Sequence, residues 1–416
     1  MKLNRDLSLW YLYDFANSLA FINITFYYPL VLTQDLKLSQ FYISLSLGVS
    51  TVLLILTLPI LGKLADQNQS YTKLLKVFTI ISIACLFLLA ATIYQSNKQY
   101  FSYLSIVLFT AFYYFYQASI AFYSSYLNHF SINNSKEKIS GLGMLSGQLG
   151  NVFGLAITIP VVNGTIKILS FTPRQNVFLI ASIIFLISVL PFLFYFKPKM
   201  KENTNALNLD IKNINFKVLL QVIKNKPVFL YLIAFYLFAD SILTLQIFGS
   251  TLLDILFRIS DQAKNITLIL GIVFASLGAL ISYKINKIYK STYLSIKIMV
   301  LMLAFSMFML AFSTNGLVFR GIVILTGFVF GVLFSLSRSY YSDISPKDKQ
   351  AQYFSIYVLF ERVASVLGPL VWSSVISLAA IMYTSTHNQY RIGVISLGVM
   401  VLFGYIVLQL RKEAKK

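Results

Sequence analysis

The feature that most constrains this chain is a series of apolar runs, each about as long as a membrane-spanning helix. They fall at residues 9–31, 42–64, 74–94, 100–126, 139–161 and 177–196, and again at 227–252, 266–285, 293–312, 317–341, 354–382 and 391–410. A span needs about 20 mostly apolar residues, because lipid offers no partner to a free backbone N–H or C=O and only a helix or closed barrel satisfies them all. These runs have helix length, not barrel-strand length. With 57% hydrophobic and 12% charged residues among 416, the apolar surface is too large for one soluble core, and the bilayer must act as the solvent. The expected fold class is an all-α membrane protein of twelve transmembrane helices, with the lipid bilayer as its first partner.

The net charge of +20 does not point to nucleic acid, because the Lys and Arg residues lie between the apolar runs rather than in one patch. Of the 34 basic residues, 24 fall on the side of the N-terminus and 8 on the opposite side. That bias places both termini and the Lys- and Asn-rich stretch 197–226 in the cytoplasm, with the chain as a multi-pass protein of the cell inner membrane. The first run follows Met1, Lys2 and Arg5 as the core of a leader would, yet it carries Asp14 and Asn17 and no small-residue cleavage site, so it is read as a retained helix. The expected domains are a bundle at 1–196, a linker at 197–226 and a second bundle at 227–416. A single cysteine, Cys85, rules out an intrachain disulfide, and no Gly-x-x-x-x-Gly-Lys-Ser/Thr loop or metal-ligand cluster occurs. Neither ATP hydrolysis, enzyme catalysis nor a cofactor is expected.

The two halves resemble each other. Ala16-Asn17-Ser18 answers Ala239-Asp240-Ser241, and Lys136-Glu137-Lys138 followed by Gly154 answers Lys347-Asp348-Lys349 followed by Gly368. Two parallel six-helix repeats with a site between them near the bilayer midplane are the plan of major facilitators. More specific residues follow: Trp10-x-x-Tyr13-Asp14-x-Ala16-Asn17-Ser18, Pro59-x-Leu61-Gly62-x-x-Ala65-Asp66, Ser140-Gly141-x-Gly143-x-x-x-Gly147, then Arg338-Ser339, Pro346, Phe354, Tyr357, Arg362 and Gly368-Pro369. In order and spacing the chain resembles the unknown-major-facilitator family, which includes the autophagy-related vacuolar amino-acid effluxers. Gln148, Asn151, Ser124 and Glu361 depart from that family's usual residues. The resemblance implies two pseudo-symmetric six-helix bundles in which helices 1, 4, 7 and 10 line a central cavity, and a monomer that moves a small-molecule substrate by alternating access.

Charges inside spans are the sharpest signal, since one at a helix centre costs about 2.5 to 3.5 kcal/mol even on the lenient insertion scale. Asp240 lies roughly 20 Å in from Pro227, and Arg362 roughly 14 Å in from Tyr353. Asp240 shares a face with Thr244, and Asp14, Asn17, Ser18 and Phe21 form one polar stripe. Asp240 is a candidate carrier of a proton or other cation, or else half of a static ion pair. Asp14 is a second candidate, or a brace for the cytoplasmic end of its helix. Arg362 suits a carboxylate or phosphate, or serves as a structural partner for Asp240 or Asp14. Glu361 is not expected to pair with Arg362, because neighbouring helical residues point about 100° apart, and should meet another helix.

Gln148 and Asn151 share one face and suit substrate hydrogen bonding, as do Tyr113 and Gln117, which packing explains as well. Gly62, Asp66, Arg338 and Asp343 stand at cytoplasmic helix ends and suit a gate, with Asp66 bonding helix-end amides or a basic residue. The reading that follows is a proton-coupled secondary transporter. The alternative is a sensor or assembly partner on the same fold, which the shortness of the central stretch and the intramembrane charges disfavour.

Overall fold

The computed structural model describes residues 5–38, 41–68, 70–94, 99–130, 135–162, 166, 174–198, 222–257 and 261–410. Most of the expected linker at 197–226 lies outside them. Among the described residues the architecture is helical, with twelve long helices: α1 Arg5–Leu30, α2 Phe41–Asn68, α3 Tyr71–Tyr94, α4 Gln99–Ser125, α5 Lys136–Val162, α6 Asn176–Tyr195, α7 Lys226–Phe257, α8 Asp261–Tyr289, α9 Thr292–Phe312, α10 Gly316–Ile344, α11 Gln350–Met382 and α12 Thr386–Leu410. Several run a turn or more past the apolar runs, because helical backbone pairing continues into the interface where polar side chains are tolerated. Among the described residues, eleven helices are long and apolar enough to cross a membrane. α1 is not among the eleven; Asp14, Asn17 and Asn23 in its middle lower its hydropathy.

Local sequence sets the helix ends. Asn315 caps α10 by accepting from Leu317 N at 2.8 Å, and Ser291 caps α9 by accepting from Leu294 N at 3.2 Å. The turn before α9 closes through Lys290 in the left-handed region, φ 53°.

Contacts gather the chain into two compact units, one of Met1–Ile132, Ser146–Val218 and Lys347–Val358, the other of Asn133–Leu145, Leu219–Pro346 and Leu359–Lys416. Each is mainly one half of the sequence and takes in the first turns of a helix from the other half: α11 in the first unit, α5 in the second. The first unit has an aromatic core. Trp10 stacks on Tyr123 with centroids 4.4 Å apart and donates its Nε1 hydrogen to the Tyr123 carbonyl at 3.0 Å, while Tyr13 donates to Ser119 Oγ at 2.8 Å. The second unit closes α8 against α10 through small residues. A Cβ on Gly327 would strike the carbonyl of Gly271, one on Gly331 that of Ala275, and one on Gly278 that of Phe328. Helices without side chains at the contact approach to backbone distance, which is how membrane helices gain dispersion energy without a hydrophobic drive.

Candidate functional site

In the second unit, α7 presents Asp240 and Thr244 one turn apart to the backbone of α11. Both are fully buried, and neither Oδ1, Oδ2 nor the Thr244 hydroxyl has a hydrogen-bond partner. They face Gly368: a methyl group there would collide with Thr244 Oγ1 and stand 2.6 Å from Asp240 Oδ1. The same stripe continues one turn on, where Phe248 of α7 stacks on Trp372 of α11 at 5.5 Å. A carboxyl group with no donor in apolar surroundings is costly as a bare anion.

The first unit repeats this geometry with a less buried carboxylate. Asp14 and Ser18 on α1, again one turn apart, lie against Gly147 of α5, where a Cβ would stand 3.0 Å from Ser18 Oγ and 3.2 Å from Asp14 Oδ1. Here Asp14 is half-buried and has a donor, Tyr123 Oη at 3.0 Å from Oδ2. Asp14 and Asp240 are 226 residues apart, as are Ser18 and Thr244. A second register, of 226 residues, thus relates the halves beside the expected one, which pairs Asn17 with Asp240 and Gly154 with Gly368. Gly150 and Gly154 also face α1, at the carbonyls of Phe15 and Leu19.

At the helix ends, Asp66 of α2 accepts from the backbone N–H of Ala351 at 3.1 Å and of Gln352 at 2.8 Å, and from Tyr71 Oη at 2.5 Å. Those two amides lie in the first turn of α11, where helical N–H groups have no partner within the helix and a carboxylate meets the positive end of the macrodipole. Gly62 makes the approach possible, since a Cβ there would stand 2.9 Å from the Ala351 carbonyl. In the second unit, Lys136 at the start of α5 pairs with Asp343 of α10 at 2.6 Å, and Arg338 Nη2 donates to the Ser140 carbonyl at 3.2 Å. Ser140 Oγ in turn donates to the Ser335 carbonyl at 2.6 Å.

The remaining expected residues are less concentrated. Arg362, 9% exposed, donates from Nη2 to Glu361 Oε1, which corrects the expectation that the two would not pair. Their Cβ bonds diverge, but both side chains are long enough to curl around the helix, and two opposite charges on one intramembrane turn are costlier apart than together. Gln148 accepts from Asn151 Nδ2 at 3.3 Å. Asn17 is buried with its Nδ2 unpartnered. Tyr113 and Gln117 are buried in α4, and Phe21 stacks on Tyr116 at 4.1 Å. Among the described residues no group of three or more His, Cys, Asp or Glu is placed to hold a metal ion. Tyr123, Lys136 and Trp372 escaped sequence reasoning. No local signal marks Tyr123 among 27 Tyr, Trp372 stands out only by type as one of two Trp, and Lys136 is visible only as part of the run Lys136-Glu137-Lys138.

The profile of the Major Facilitator Superfamily matches residues 12–369. An uncharacterized MFS-type transporter of Bacillus subtilis (strain 168), YxiO, is 24% identical over 98% of this chain and 95% of its own length. Among solved structures, a bacterial homologue of the iron transporter ferroportin in an outward-facing state aligns over 98% of this chain and 99% of its own, with TM-score 0.73 and 15% identity. The human organic anion transporter MFSD10 gives TM-score 0.72 at 12% identity, covering 97% and 99% of the two chains. A multi-pass helical membrane chain whose sequence matches that profile over most of its length belongs to the Major Facilitator Superfamily of transporters.

Proposed function

We propose that this chain is a secondary transporter that moves a small polar solute by alternating access, coupled to a proton or other cation carried at Asp240. The observation that carries this reading is the fully buried, unpartnered Asp240 carboxyl in the middle of α7. Such a group is expensive to keep in a membrane, and a residue whose protonation or loading changes during a cycle is a reason to keep it. Asp14 is the matching carboxyl of the first half, held by Tyr123. Solute contacts fall to the polar residues of α1, α4 and α5: Asn17, Gln117, Gln148 and Asn151. An amino acid or similar metabolite fits the resemblance to amino-acid effluxers, and Arg362 would meet its carboxylate by exchanging Glu361 for it.

The helix-end contacts supply the gate. Asp66 on the first turn of α11 and Lys136, Arg338 and Asp343 around the start of α5 each tie a helix start from one sequence half to residues of the other. Breaking them would let the cytoplasmic side open, with both termini on that side, in line with the distribution of Lys and Arg. The reading is tested by a thermal-stability screen of the purified chain against amino acids, nucleosides, sugars, organic acids and phosphates. A ligand of the native state raises its melting temperature by mass action. A compound that stabilises the wild type and not Asp240→Asn or Arg362→Ala supports the reading; a folded protein that responds to none of the panel counts against it.

A further inference from the structure

We infer that Asp240, Thr244 and the backbone of α11 around Gly368 form a binding site for a dehydrated monovalent metal cation, with sodium as the fitting ion. This rests on the reading of Asp240 as a coupling residue and names the ion.

Three observations converge. The first is the Asp240 carboxylate, fully buried with both oxygens unpartnered. The second is the hydroxyl of Thr244. Thr25, Thr79, Thr110 and Thr326 each donate to the carbonyl four residues back, the default for a threonine inside a membrane helix. Thr244 is buried, as Thr79 and Thr326 are, and does not; its oxygen is turned toward Gly368 beside Asp240. The third is Pro369, which lies inside α11 and has no N–H. The carbonyl of Ser365, four residues earlier, is thereby deprived of its helical donor. Helical carbonyls point along the axis toward the following turn, so this one lies at the level of Pro369, next to Gly368 in the chain.

The donors are all hard oxygens: two from a carboxylate, one hydroxyl and one freed carbonyl. Interrupted helices in transporters expose carbonyls to alkali ions in this manner. Charge selects the valence. One carboxylate neutralises a single positive charge, whereas a divalent ion would leave a net charge in apolar surroundings. A proton would engage one carboxylate oxygen and leave the turned Thr244 oxygen and the freed carbonyl unused, while a metal ion engages them together. The close approach of the two helices, with no room for a methyl group at Gly368, favours sodium over potassium. The equivalent site in the first unit differs in each respect: Asp14 is half-buried, has the Tyr123 donor, and no proline follows Gly147. The inference is confined to the second unit.

The test uses the full chain in detergent at constant ionic strength, with sodium chloride replacing choline chloride at an alkaline pH. The chain has two tryptophans, so Trp10→Phe leaves Trp372, one turn from Gly368, as an intrinsic reporter. The expected result is a saturable change in Trp372 fluorescence and a rise in melting temperature with sodium, smaller with potassium. Asp240→Asn abolishes both. Thr244→Val, which keeps the shape and removes the oxygen, weakens sodium binding by roughly tenfold or more while its melting temperature without sodium stays at the wild-type value. Should Trp10→Phe fold poorly, the melting-temperature series on the unmodified chain decides alone. The inference is overturned if sodium produces no saturable response, or if Thr244→Val binds it as the wild type does. A signal that follows pH and ignores sodium also overturns it, yet leaves the coupled-transporter reading standing. Sodium binding in a chain that transports none of the solute panel would have the opposite effect.

Discussion

Asp240 of α7 faces the bare backbone of Gly368 on α11, so closely that a methyl group on that glycine would stand 2.6 Å from its Oδ1. Gly368→Ala should therefore lower stability by about 1 to 3 kcal/mol, the usual range for overpacking. Gly321→Ala is the control, because nothing lies within 4 Å of the Cβ it would add. Melting temperatures of the two variants beside the wild type check this. Gly321→Ala should hold or gain stability, because Ala is the better helix former; the same response from Gly368→Ala would mean that the contact does not set the outcome.

Asp66→Ala should expose the first turn of α11. The amides of Ala351 and Gln352 lose the carboxylate that caps them, at a cost of about 0.5 to 2 kcal/mol typical of a lost cap. Hydrogen-exchange mass spectrometry over 347–358 is the measurement, with faster exchange expected in Asp66→Ala and a smaller increase in Asp66→Asn, which keeps an acceptor.

Tyr123→Phe should remove the donor to Asp14 and little else, because Trp10 bonds the Tyr123 main chain and the ring stack is unaltered. A stability loss of about 1 kcal/mol is expected from one hydrogen bond. If Asp14 takes part in turnover, the transport rate falls by more than that small loss explains.

Lys136 and Asp343 should contribute little to stability despite their 2.6 Å separation. Asp343 is 46% exposed, and pairs that water can reach are worth about 0 to 1 kcal/mol. A double-mutant cycle with Lys136→Met and Asp343→Asn should return a coupling energy in that range, diminished by salt. A much larger value would make this contact a principal brace of the start of α5.

Much of this architecture was legible in the sequence, for reasons particular to membranes. Helix-length apolar runs have few alternative folds, and Asp240 and Arg362 stand out because charges are rare where lipid surrounds the chain. The partners of those charges were not legible. Gly368 stands in the sequence only as part of the Gly368-Pro369 motif, and packing turns it into the floor under Asp240. Gly147 stands in the sequence only as the end of the Ser140-to-Gly147 motif, and packing sets it under Asp14. The pairing of Arg362 with Glu361 was missed because the helical angle between neighbours was allowed to outweigh the length of their side chains. Asp66 was legible as a ligand for helix-end amides, but which helix it caps depends on contacts far apart in the sequence.

The central claim, that Asp240 couples a cation gradient to solute movement, is tested most directly in proteoliposomes with the solute found by the stability screen. Gradient-driven accumulation and solute counterflow are measured in parallel for the wild type and Asp240→Asn. The account predicts that Asp240→Asn loses accumulation and keeps counterflow, because rocking with bound solute needs no ion cycle. Accumulation by Asp240→Asn at the wild-type level would contradict it.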